Sequence, residues 1–65
     1  MNICVNGEKK DIQSTTIAEL FQELAVNPRG IGVHVNGVFV HWTKYPTWQI
    51  QDQDEIELVR FIAGG

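Results

Sequence analysis

Two Asn-Gly dipeptides, Asn6-Gly7 and Asn36-Gly37, each sit between short runs of alternating apolar and polar residues. Asn-Gly is the pair that best tolerates the positive φ angles of a two-residue type I′ loop, so each predicts a β-hairpin whose register the loop sets. With Asn36 and Gly37 as the loop, Val35 pairs with Val38, His34 with Phe39 and Val33 with Val40. Cross-strand partners share a face. Four valines therefore face one way, while His34, Phe39 and His41 face the outer side of the sheet. The first hairpin places Met1, Ile3, Val5 and Ile12 on one face and Asn2, Cys4, Lys9 and Asp11 on the other. Its alternation is weaker, because Glu8 and Lys10 share the apolar side.

Between the hairpins, Thr16-Ile17-Ala18-Glu19 has the form of a capping box, in which the Thr16 hydroxyl caps the Glu19 amide and the Glu19 carboxylate reaches back to the Thr16 amide. A helix starts there. Ile17, Leu20, Phe21 and Leu24 recur at i, i+3, i+4 and i+7, an apolar stripe that must cover a sheet, with Glu19, Gln22 and Glu23 on the far side. Asn27-Pro28-Arg29-Gly30 is the expected terminator, because proline disfavours helical geometry in the residue before it and glycine permits the turn. A last strand runs from about Glu55 to Phe61, with Ile56 and Leu58 inward and Glu55, Glu57, Val59 and Phe61 outward. The turn before it is Gln51-Asp52-Gln53-Asp54.

The resulting order is strand, strand, helix, strand, strand, an irregular piece with Tyr45-Pro46 and Trp48, then a strand. The expected fold is therefore α+β, a mixed four- to five-stranded sheet with one helix packed across one face, the ubiquitin-like β-grasp arrangement. With 65 residues the chain is expected to form one domain, residues 1–65, too small for a deep catalytic cavity. A single cysteine cannot form an internal disulfide and points to a reducing, cytoplasmic setting. No apolar run is long enough for a signal peptide or a spanning helix. Eight acidic against five basic residues argue against nucleic acid and favour basic partners.

Catalytic patterns are missing from the sequence. The six glycines read as single turn residues or the terminal pair, which gives no phosphate-cradling loop. His34 and His41 offer two metal ligands where zinc needs three or four, so two surface histidines is the simpler reading. Cys4 is either a sulfur-handling thiol or a small strand residue. Trp48 is expected to pack on the core, whereas Trp42 is equally suited to packing or to a partner surface. What packing does not explain is Ala63-Gly64-Gly65. Residues without β-carbons can thread a narrow channel in a partner enzyme and present an α-carboxylate as the reactive group.

These features together resemble the ThiS family of sulfur carrier proteins in thiamine biosynthesis. The resemblance rests on the strand Met1–Asn6 followed by Gly7-Glu8, on Thr16-Ile17-Ala18-Glu19-Leu20, and on Val35-Asn36-Gly37. It rests also on Trp48, Asp52-x-Asp54 and Ala63-Gly64-Gly65, and it extends over essentially the whole chain. Two positions depart from the family pattern: His41-Trp42 stands in place of a Pro-Arg pair, and Gln53 in place of a glycine. The resemblance implies a protein cosubstrate rather than an enzyme, with no bound cofactor and no metal. It implies that an E1-like, ThiF-like adenylyltransferase uses ATP to adenylate the Gly65 carboxylate. A persulfide donor then converts it to a thiocarboxylate, which a ThiG-like thiazole synthase uses as its sulfur source. Ala63 and Gly64 are then the channel residues of a flexible tail (about 62–65). By analogy with related β-grasp carriers, Phe39, Val59, Phe61 and Ile62 are the partner-binding residues. The exposed apolar alternation of the last strand leads to the same outer face. MoaD-like and Urm-like carriers share the fold and the terminal glycines. A non-catalytic β-grasp interaction module is the reading from a different class.

Overall fold

The computed structural model describes residues 1–61. Both Asn-Gly pairs adopt positive φ at both positions, 50° and 83° at Asn6 and Gly7 and 52° and 82° at Asn36 and Gly37. Strand β1 (Asn2–Val5) pairs antiparallel with β2 (Glu8–Asp11), and β3 (Ile31–Val35) pairs with β4 (Val38–Val40) in the register read from the loop. Strand β5 (Glu55–Arg60) lies between the hairpins, parallel to β1 and antiparallel to β3. The five-stranded order is β2-β1-β5-β3-β4.

Each turn asparagine has a second use. The Asn6 Oδ1 accepts the Leu58 N–H at 2.8 Å, and the Asn36 Oδ1 accepts the Glu55 N–H at 2.9 Å. Both hairpin tips are thereby fastened to the central strand. Asp54 completes the second tip, its Oδ1 accepting from Asn36 Nδ2 at 2.9 Å and its Oδ2 from the Gln51 N–H at 2.8 Å. In the same turn Asp52 accepts the Asn2 N–H. Gln53 takes φ 72°, so the turn keeps a left-handed conformation at the position where the family pattern has glycine.

Helix α1 (Ile17–Glu23) opens on the expected capping box, Thr16 and Glu19 each accepting the other's N–H. It ends sooner than the Asn27-Pro28 signal predicts. Ala25 turns left-handed at φ 56°, the Val26 N–H returns to the Phe21 carbonyl, and the Ala25 N–H returns to that of Gln22. This is a Schellman closure, with alanine where glycine is usual. Glu23 does not lie on an idle polar face either. Its carboxylate accepts the Gln13 and Ser14 N–H groups and the Ser14 hydroxyl, tying the helix to the segment that leads into it.

The core lies between the helix and one face of the sheet: Ile3, Val5, Ile12, Ile17, Leu20, Phe21, Val33, Val35, Val40 and Ile56. Tyr45 and Ile50 close it from the irregular segment, with Trp48 half-buried against it as expected. The Tyr45 ring packs 5.3 Å from that of Phe21, and its hydroxyl donates to the Ile31 carbonyl at 2.9 Å. Val38 shares the valine face yet is 56% exposed, because it sits on the outermost strand; alternation assigns a face but not the extent of its cover. No helix among the described residues is long and apolar enough to cross a membrane.

Candidate functional site: the outer face of the sheet

The face turned away from the helix carries the expected docking residues. Phe39 on β4 is 53% exposed, Phe61 just after β5 is 59% exposed, and Val59 is half-buried between them in sequence position. Strand pairing brings them together, since Val59 lies opposite Gly32 and Phe39 opposite His34. The Phe61 N–H donates to the Gly30 carbonyl at 2.8 Å, which continues the β3–β5 ladder one residue past the strand. Its ring lies over Gly32: a β-carbon there would stand 2.7 Å from the Phe61 Cε2 and Cζ and 3.7 Å from the Phe39 Cε1. Gly32 is therefore not a turn residue, contrary to the reading of the glycines as punctuation. A glycine at a mid-strand alternation position was the available signal, because such a residue marks a close approach.

Beside this apolar patch the face is polar. The His34 ring meets Phe39 edge-on with centroids 5.5 Å apart, and its Nδ1 lies 3.8 Å from a Glu57 carboxylate oxygen. Glu55, Glu57 and the half-buried thiol of Cys4 line the shallow groove that runs along β5. The face thus offers two phenyl rings and a valine beside a carboxylate edge, a pattern suited to an apolar partner surface with a basic border.

His41 does not join this face. It lies past the end of β4 and caps a 3-10 turn (Trp42–Lys44), its Nδ1 accepting the Thr43 N–H at 3.3 Å. Among the described residues no group of three or more histidine, cysteine or acidic side chains is placed to hold a metal ion. Trp42 is 68% exposed and stacks on His41 with ring centroids 5.7 Å apart, so the packing role left open for it is not the one it takes. Ile62, Ala63, Gly64 and Gly65 lie outside the described residues.

The sequence model of the ThiS family matches residues 3–65. The chain belongs to the ThiS family, whose members are sulfur carrier proteins. The crystal structure of the thiamine biosynthesis protein ThiS from Geobacter metallireducens superposes with a TM-score of 0.88 at 26% identity, covering 100% of both chains. Sulfur carrier protein ThiS of Thermus thermophilus is 27% identical over 97% of this chain and 98% of its own. A thiazole synthase of Paramagnetospirillum magneticum is 35% identical over 100% of this chain, which spans only 20% of that protein's length. A second thiazole synthase, from Magnetococcus marinus, matches to the same extent.

The ThiS-like fold places the family features read from the sequence in definite structural roles. Thr16 and Glu19 cap the helix, Asp52 and Asp54 brace the turn before β5, and Trp48 packs on the core. All of these support the scaffold and none is placed to react. Membership of a family of sulfur carriers in thiamine biosynthesis is consistent with side chains that serve the scaffold.

Proposed function

We propose that the Gly65 carboxylate is the group that carries sulfur. An E1-like adenylyltransferase joins it to AMP: the carboxylate attacks the α-phosphate of ATP and pyrophosphate leaves. The mixed anhydride makes the Gly65 carbonyl a good electrophile. A persulfide sulfur attacks it and AMP departs with the bonding pair. A second thiol then cleaves the S–S bond of the acyl disulfide, leaving a thiocarboxylate. Thiazole synthase takes its sulfur from that group and returns the carboxylate, so the chain is recycled. Ala63 and Gly64 occupy the enzyme's channel, where side chains larger than methyl do not pass. The outer face, with Phe39, Val59 and Phe61, docks on the partner, and Ile62 takes part in the same contact. Its Glu55 and Glu57 edge and the net charge of −3 suit a basic border on that partner. The setting is the cytoplasm, where Cys4 remains a thiol.

The observation that carries this reading is the family match, which runs through residue 65 and so includes Ala63-Gly64-Gly65. The two thiazole synthases that hold a similar stretch within one longer chain support thiazole synthase as the acceptor. The test is intact-mass measurement after incubation with the adenylyltransferase, ATP and a persulfide donor. The expected change is the mass of one sulfur minus one oxygen, lost when an alanine is added after Gly65. An unchanged mass beside a partner that activates another ThiS carrier refutes the proposal.

A further inference from the structure

The Phe61 ring reaches its place over β3 only because residue 32 has no side chain. Gly32 lies in the interior of β3, and its φ lies outside the left-handed range, so backbone conformation does not call for glycine. In a strand interior glycine gives up side-chain packing and adds chain entropy to the unfolded state. What it allows is the close approach already described, with two Phe61 ring carbons 2.7 Å from where a β-carbon would be and Phe39 flanking the same point at 3.7 Å. Gly32 itself is buried while Phe61 above it remains more than half exposed. The Cε2–Cζ edge of the ring thus rests against the sheet while the rest of the side chain stays open.

We propose that Gly32 is a positioning residue for docking: it is the seat that lets the edge of the Phe61 ring rest on β3 near Phe39, so that both rings are presented on one face to the activating enzyme. This rests on the carrier reading above. A methyl group at residue 32 has to lift the ring, and the obstacle is the far end of a flexible side chain rather than backbone, so the fold survives while the surface is broken. The loss is one of binding common to ground and transition state, which raises KM and spares kcat.

The seat is tested without any enzyme by NMR, which should show nuclear Overhauser contacts between the Gly32 α-protons and the Phe61 ring protons of the wild-type chain. Their absence overturns the inference whatever the chain's function. For docking, adenylation kinetics are measured for wild type, Gly32→Ala, Phe61→Val and the double variant. Gly32→Ala should raise the KM for the carrier by about tenfold, the scale of a disrupted interface anchor, with kcat within about twofold. In the Phe61→Val background the same change should have no effect, since valine lacks the ring carbons that clash. An equal KM rise in both backgrounds, or none in either, overturns the positioning role. Failure of the wild type itself to be adenylated refutes the carrier reading and leaves the NMR result to decide the seat.

Discussion

Replacing Asn36 by glycine separates the two uses of a turn asparagine. Glycine reaches φ 52° without cost, so the hairpin loop is kept and only the side chain is lost. With it go the acceptor for the Glu55 N–H and the donor to the buried Asp54 carboxylate, both at 2.9 Å. A neutral hydrogen bond contributes about 0.5–1.5 kcal/mol and one to a charged group about 1.5–3 kcal/mol. Asn36→Gly is thus expected to cost about 2–4 kcal/mol, against the roughly 3–5 kcal/mol that a core of this size supplies. At about 4–8 °C per kcal/mol, the unfolding midpoint should fall by about 8–32 °C. The matched control is Asn6→Gly, which keeps the same kind of loop and removes a single neutral bond, to the Leu58 N–H; its expected cost is about 0.5–1.5 kcal/mol. Thermal and urea unfolding followed by far-ultraviolet circular dichroism measures both. Equal midpoints for the two variants, or an Asn36→Gly chain as stable as the wild type, would refute the account of Asp54 and Asn36 as a clamp.

Acid should weaken the molecule through Glu23. Its hydrogen bond from the Ser14 hydroxyl, with the Ser14 and Gln13 N–H groups, holds its carboxyl below the ordinary 4.5. A depressed carboxylate contributes stability that is present above its unfolded-state value and is lost as the pH falls through the folded one. Urea midpoints taken down through and below pH 4.5 should therefore fall less steeply for Glu23→Gln than for the wild type, and parallel curves would contradict this. Gln53→Gly and Ala25→Gly should each stabilise by about 1 kcal/mol, since both residues sit in the left-handed region that costs other side chains about that much; a lower midpoint in either would count against it. Thr16→Ala should cost about 1 kcal/mol through loss of the helix cap, seen as a lower melting midpoint with the far-ultraviolet spectrum unchanged at low temperature.

Where structure follows from a few adjacent residues, the sequence was sufficient. The two Asn-Gly loops set both hairpin registers pair by pair, and Thr16 with Glu19 marked the helix start to the residue. The helix end was missed, because its closure depends on Ala25 adopting an unfavourable angle that surrounding contacts support, while Asn27-Pro28 looked like the stronger stop. Val38 was assigned the right face but not its exposure, which depends on β4 being the sheet edge. The central place of β5 arises from pairings between residues some fifty positions apart, beyond the reach of any local pattern. In the candidate site, Phe39, Val59 and Phe61 were legible as outward residues of their strands. The seat at Gly32 was not, because it exists only when β3 and the residue after β5 lie side by side.

The central position of β5 has a consequence for how the molecule is made. The two hairpins that precede it are not neighbours in the sheet, so a nascent chain that has reached only residue 54 has two ribbons that no strand pairing joins. Isolated two-stranded ribbons are marginal in water. Closure waits for β5, whose pairing with β1 spans most of the chain, a distant contact of the kind that slows folding. During synthesis, a closed sheet then requires that β5 itself has already left the ribosome. A chain terminated before β5 would lack the strand that pairs with both hairpins and would be the more open to proteolysis.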